Sequence, residues 1–172
     1  MRKLWIVAGF SLVLTATLPS HAESAGDAMR KFGISGSWSG NCAGPLRLKY
    51  STPSSGTPTV TRSWGGKVDL LYEVKEASRL SEKKLKLLVL IKTQKIQSPS
   101  PLMKGLPQPG EVWEIVYVKV GNKFQIFSTE QKDGDKLSVR DGFQYIPKDD
   151  GQGGFSMENS GVRMPPLEKC LS

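Results

Sequence analysis

The feature that most constrains this chain is a period of two. Leu46, Leu48 and Tyr50 are separated by Arg47 and Lys49. Val68, Leu70, Tyr72 and Val74 are set off by Lys67, Asp69, Glu73 and Lys75. Phe124 and Ile126 flank Gln125, and Leu137 and Val139 flank Ser138. Side chains alternate faces along a strand, so each run predicts a strand with one covered and one solvated face. Leu85 to Ile91 is nearly all apolar, as is Val112 to Val120 apart from Glu114 and Lys119. Those two runs predict central strands covered on both faces. Gly65-Gly66, Gly121-Asn122 and Asp133-Gly134 lie between the runs and supply the positive φ of tight hairpins. One short helix is expected, roughly Gly26 to Phe32. With no βαβ alternation, the expected fold is all-β: a small antiparallel meander barrel with a short N-terminal helix.

Composition narrows the class. In 172 residues, 38% are apolar and 23% charged, which excludes a disordered tail or a coiled coil. The first 22 residues read as an export signal. Met1-Arg2-Lys3 is basic, Leu4 to Leu18 carries no charge, and Ser20-His21-Ala22 has the small-x-small ending of a cleavage site. The apolar run falls short of the ~18–20 residues that span a bilayer. We therefore expect a signal peptide over 1–22 and one β-barrel domain over 23–172, exported to the periplasm or secreted and not membrane-spanning after signal removal.

Loss of that segment removes His21, the only histidine. A chain without His builds neither a Ser-His-Asp nor a Cys-His nucleophile, nor the usual His-containing metal sites. No catalytic residue, cofactor or metal ligand is expected. The remaining enzyme reading is a carboxylate-based hydrolase. Asp133 with Asp135, and Asp149 with Asp150, could serve glycoside hydrolysis or hold calcium. Neither pair has a calcium-loop spacing, and turns select Asp for its backbone hydrogen bonding. Gly151-Gln152-Gly153-Gly154 lacks the Lys and hydroxyl of a phosphate loop and reads as a flexible turn after no clear strand.

The chain has two cysteines, Cys42 and Cys170. An even count in an oxidising compartment favours a bond between them, a clasp on the two ends of the domain. A reactive thiol or metal site is the alternative, with no His or C-x-x-C to support it. The tail Gly161 to Lys169 contains Pro165-Pro166, which cannot donate to a ladder, so it is expected to cross over rather than pair.

Two further features bear on binding. Thr93 to Gly110 carries four prolines together with Ile96, Leu102, Met103 and Leu106. It reads either as a lid over a barrel mouth or as a surface loop packed on the outer wall. Lys83, Lys84, Lys86, Lys92 and Lys95 are expected around one hairpin end. They form either an anionic-surface patch or a solvated strand face. No aromatic-and-basic pattern suggests nucleic acid.

Phe32 to Cys42 reads F-G-I-S-G-S-W-S-G-N-C. Its Gly36-x-Trp38 resembles the opening motif of lipocalins and related calycin barrels, in which the Trp plugs one end of the core. The second and third lipocalin motifs are not evident. Arg140 or Arg163 would be the residue covering Trp38. The longer F-G-x-x-G-x-W-x-x-x-C start, the Val118 to Phe124 hairpin, Asp141-Gly142 and the Leu167-Glu168-Lys169-Cys170 end resemble a family of small exported bacterial proteins without established activity. That resemblance implies export, an all-β fold and the disulfide, and assigns no catalytic residue. Two functions are carried forward. In the first, the barrel holds a small apolar ligand against Trp38, Trp113 and Tyr117. In the second, an envelope interaction or inhibitor protein uses its outer surface and lysines, with an anionic envelope component as partner.

Overall fold

The computed structural model describes residues 23–65, 68–97, 106–149, 151 and 155–171. The expected signal peptide lies outside the described residues. The fold is all-β, an antiparallel meander curled into a barrel, preceded by one short helix, α1 (Ala25–Phe32). The strands are β1 (Gly36–Ser39), β2 (Leu46–Ser51), β3 (Thr59–Trp64), β4 (Val68–Ser81) and β5 (Lys84–Ile96). They continue with β6 (Val112–Val120), β7 (Lys123–Gln131), β8 (Leu137–Arg140), β9 (Phe143–Asp149), β10 (Phe155–Arg163) and β11 (Glu168–Lys169). Each of β1 to β10 pairs with its sequence neighbours, and β11 adds on the far side of β1.

Helix α1 has its own start and stop. The Ser24 hydroxyl accepts from the Asp27 backbone N–H at 3.1 Å. Gly33, at φ 87°, ends the helix by donating its N–H to Met29 and Arg30 carbonyls. Eight residues make too short a helix to stand alone in water, so packing must hold it. Ala28, Met29 and Phe32 are buried. Arg30 ties the outer side to the β2–β3 loop by donating to the Thr52 and Pro53 carbonyls, each at 2.9 Å. The helix thus stoppers the barrel end that carries the β2–β3 connection. There Phe32 stacks on Phe124 at 5.1 Å and the Trp38 ring meets the same Phe124 edge-on at 4.5 Å.

The tail departs from expectation. Glu168 and Lys169 pair with Ser39 and Trp38 of β1, while Leu167 exchanges backbone hydrogen bonds with Phe124 of β7. The tail therefore lies between β1 and β7 and closes the sheet. Pro165-Pro166 do not prevent this, because they sit between two pairing segments. Arg163 is still in β10 and pairing resumes only at Leu167. Strand β7 consequently forks: its start meets the tail, and its far end, Thr129 and Glu130, pairs with β8. Strands β8 to β10 extend from that fork, and β10 is a sheet edge.

Cys42 and Cys170 are disulfide-bonded, with Cα atoms 5.5 Å apart and a separation of 128 positions in sequence. The bond locks the closing tail against the β1–β2 turn. Such a bond fits an oxidising environment. Among the described residues no helix is long and apolar enough to cross a membrane.

Candidate functional site

The inward rows run in register. Tyr50, Val60, Tyr72 and Ile91 are Cα partners across β2 to β5, and Leu48, Arg62, Leu70 and Gln94 form the next row. Large side chains occupy the axis: Trp113, Tyr117, Phe32, Met29, Leu85 and Leu87 are each less than 2% exposed. The decisive contact is Tyr50 with Tyr117. The first is on β2 and the second on β6, four strands on, so they come from opposing walls. Their hydroxyls meet at 2.9 Å with the rings edge-on, centroids 5.8 Å apart. A side-chain bridge therefore spans the barrel at mid-height. Burial pushes the Tyr50 hydroxyl's pKa well up, and the neighbouring Tyr117 adds to the effect. Burial likewise raises Tyr117, against the pull of its hydrogen bond to Tyr50. Tyr72 is raised by burial and drawn back by the adjacent Arg62 guanidinium. All three are neutral hydrogen-bonding groups at neutral pH.

Of the three residues expected to line a ligand pocket, Trp38 packs at the stoppered end with Ile34 and Phe124, its indole N–H donating to the Ile34 carbonyl at 2.7 Å. The cation over its ring is Lys169, 6.0 Å from the centroid. The expected arginines are elsewhere: Arg163 lies over Phe143, and Arg140 is 3.6 Å from Glu130. Trp113 and Tyr117 are fully buried in the middle and are brought into one core cluster with Trp38.

The opposite end bears the β1–β2, β3–β4, β5–β6 and β7–β8 connections. Strand β5 runs on to Ile96, so the connection to β6 is shorter than the 93–110 segment read from the prolines, and 98–105 fall outside the described residues. Its described end lies over the mouth. Leu106 packs against the core, Pro107 is buried, and Gln94 Nε2 donates to the Pro107 carbonyl at 2.9 Å. Glu111 anchors this end. Its Oε2 accepts from the Gln108 N–H and the Trp113 indole N–H, both at 2.9 Å, and its Oε1 accepts from Lys136. Burial works against its ionisation, but those three donors and the Lys136 charge outweigh it and hold the carboxyl below its ordinary range.

The lysines do not gather. Lys83 occupies the β4–β5 turn, while Lys84, Lys86, Lys92 and Lys95 are strung along β5. At ~3.4 Å per residue the strand places Lys84 and Lys95 roughly 35 Å apart. Lys86 is 3.3 Å from Glu114, and Lys92 is 3.3 Å from Glu73. Lys86 shares a shallow recess with Glu76 and Glu114. Lys84 sits over the Phe127 ring at 4.9 Å, and Lys95 is the register partner of Asp69. Asp133 and Asp135 are exposed on the β7–β8 turn. The Asp149 side chain and Asp150 lie outside the described residues. Among those described, no three His, Cys, Asp or Glu gather into a metal-sized group. The glycine-rich segment joins β9 to β10, so it does follow a strand; 152–154 are outside the described residues.

What the sequence reading missed is on the outside of β1 to β3. A recess of about 510 Å³ lies there, walled by the disulfide and Leu171. Its floor is Ser37, Lys49 and Thr61 in one register row and Arg47 with Ser63 in the next. The signal was present: the outward half of the alternation in β2 and β3 consists only of cations and hydroxyls.

No family model matches the chain, and neither a curated protein nor a solved structure matches it.

Proposed function

We propose that the chain is an exported, non-enzymatic β-barrel protein of the bacterial cell envelope, periplasmic or secreted, that binds through its outer surface. The observation that carries this reading is the Tyr50–Tyr117 bridge. An apolar ligand held against Trp38, Trp113 and Tyr117 in the lipocalin manner would need the volume those side chains already fill. The titratable groups at the centre are tyrosines satisfied by one another and by Arg62, which suits a scaffold rather than acid–base chemistry. Export is supported by the basic, apolar, small-x-small start and by the Cys42–Cys170 bond. In this reading nucleic acid is not among the partners.

Native mass spectrometry of protein purified from its own host tests this. We expect a chain starting at Glu23 without a stoichiometric small-molecule adduct, and retention of envelope binding in a Tyr117→Phe variant. An apolar adduct at one per chain, lost when the protein is unfolded, would overturn the outer-surface reading in favour of the interior one. A full-length species would overturn export.

A further inference from the structure

We infer that the recess outside β1 to β3 is a binding site for an oxyanion carried on a small hydroxylated molecule, a sugar bearing phosphate, sulfate or carboxylate. The inference rests on the outer-surface reading above and names the ligand chemistry of that surface.

The register builds the floor. Ser37 pairs with Lys49 and Lys49 with Thr61, so one row across β1, β2 and β3 places a cation between two hydroxyls. With strands ~4.8 Å apart, Ser37 to Thr61 spans roughly 10 Å, the width of one sugar ring with a substituent. In the adjoining row Arg47 pairs with Ser63. The rim is fixed rather than soft. Cys170 donates its N–H to the Ser37 carbonyl at 2.9 Å, and its bond to Cys42 holds the tail against the β1–β2 turn. The volume, about 510 Å³, falls in the ~300–1,000 Å³ range of small-molecule sites.

The charge is one-sided. Arg47 is fixed in place by donating to the carbonyls of Asn41, Cys42, Gly44 and Leu46. Those acceptors orient the guanidinium without neutralising it. Lys49 is exposed, and among the described residues no carboxylate forms an ion pair with either cation. Glu168, on the neighbouring tail, is engaged with Lys123 at 3.4 Å. Asp69 stands beside Ser63 in the Arg47 row and has Lys95 on its other side. It places the anion on the Ser37–Lys49–Thr61 side. Two cations select the charge, and three hydroxyls, each able to donate and accept, select a carrier rich in hydroxyls.

The experiment is titration calorimetry of the disulfide-bonded protein at low ionic strength with glucose 6-phosphate, glucose 6-sulfate, glucuronic acid, inorganic phosphate and glucose. The three charged sugars distinguish the oxyanion. At least one is expected to bind saturably at one per chain, at least about tenfold tighter than inorganic phosphate and than glucose, with affinity falling as salt is raised. Lys49→Glu, at an exposed position, should lower that affinity about tenfold or more, and the Ser37→Ala, Thr61→Val pair by a few-fold. Lys83→Glu, on the β4–β5 turn at the other end of the barrel, should leave it within about twofold. Absence of saturable binding by every charged sugar, or an affinity unmoved by Lys49→Glu, overturns the inference. Inorganic phosphate binding as tightly as the sugars removes the hydroxylated carrier from it. If envelope binding persists while charged sugars fail to bind, the recess assignment falls and the outer-surface reading stands.

Discussion

Replacing Glu111 by Gln separates one charge from an otherwise intact hydrogen-bond hub. The carboxylate takes three donors, the Gln108 N–H and Trp113 indole N–H on one oxygen and the Lys136 ammonium on the other. A glutamine oxygen in the Oε2 place keeps the first two. Its amide then turns two N–H donors toward Lys136, which has only donors to offer. Hydrogen bonds to charged groups contribute about 1.5–3 kcal/mol. The Lys136 and Glu111 side chains remain 21% and 15% exposed, so solvent screening reduces the expected loss to about 1–2 kcal/mol. For a domain of this size that corresponds to a fall in Tm of about 3–6 °C. The loss should depend on pH with a definite sign. Glu111 titrates below its ordinary value of 4.5 in the folded state. Its contribution is therefore complete above that value and fades as pH falls through the lower folded one. Thermal unfolding followed by tryptophan fluorescence at pH 7 and pH 3 measures both. The gap between the parent and Glu111→Gln should be widest at pH 7 and should narrow at pH 3. Glu23, Asp27 and Glu73 also titrate low, but they are common to both proteins and cancel in the difference. A pH 7 gap under about 1 °C, or one that widens in acid, would refute this account of the mouth.

Three more expectations follow from two single contacts. Cys170→Ser opens the clasp on a 128-residue separation and should cost about 2–5 kcal/mol in denaturant unfolding, with one thiol newly titratable on Cys42; an unchanged midpoint would mean that tail pairing alone closes the barrel. Tyr117→Phe removes the hydroxyl bridge and strands Tyr50 in an apolar interior, at a cost of about 1–2 kcal/mol. In the parent, alkaline difference spectroscopy should show Tyr50 and Tyr117 ionising only as the protein unfolds, and their titration in the folded state at an ordinary tyrosine pKa would contradict the burial.

Much of the barrel was legible because burial is one-sided along most strands. The alternation of β2 and the Gly121-Asn122 turn record which face meets the core, whereas the apolar run of β5 predicted cover on both faces and only Leu85, Leu87, Val89 and Ile91, on one face, are buried. Strand β3 was not read, and the reason is Arg62. It takes the inward row with Val60, beside Leu48 and Leu70, so a charge stands where an apolar residue would complete the pattern. Its placement is rationalised by Tyr72, whose hydroxyl shares its hydrogen bonding, a partner 10 residues away that no local window includes. Strands β9 and β10 were missed for a different cause. They project past the fork in β7, where there is less core to select a face, and Phe155–Arg163 carries polar residues on both sides.

The same logic explains why the candidate site escaped attention. Sequence reading weights lysines close together in the chain, and a 13-residue strand carries such lysines apart while seating two of them next to glutamates. Pairing does the reverse for Ser37, Lys49 and Thr61, which are 12 residues apart at each step and adjacent in the sheet. Only the hairpin registers bring them together, and the tail, held by a bond between the ends of the domain, forms one side of the open recess around them. A surface built by register and a disulfide leaves no compact motif in the chain. Its trace is compositional: outward positions that hold cations and hydroxyls without an acid between them.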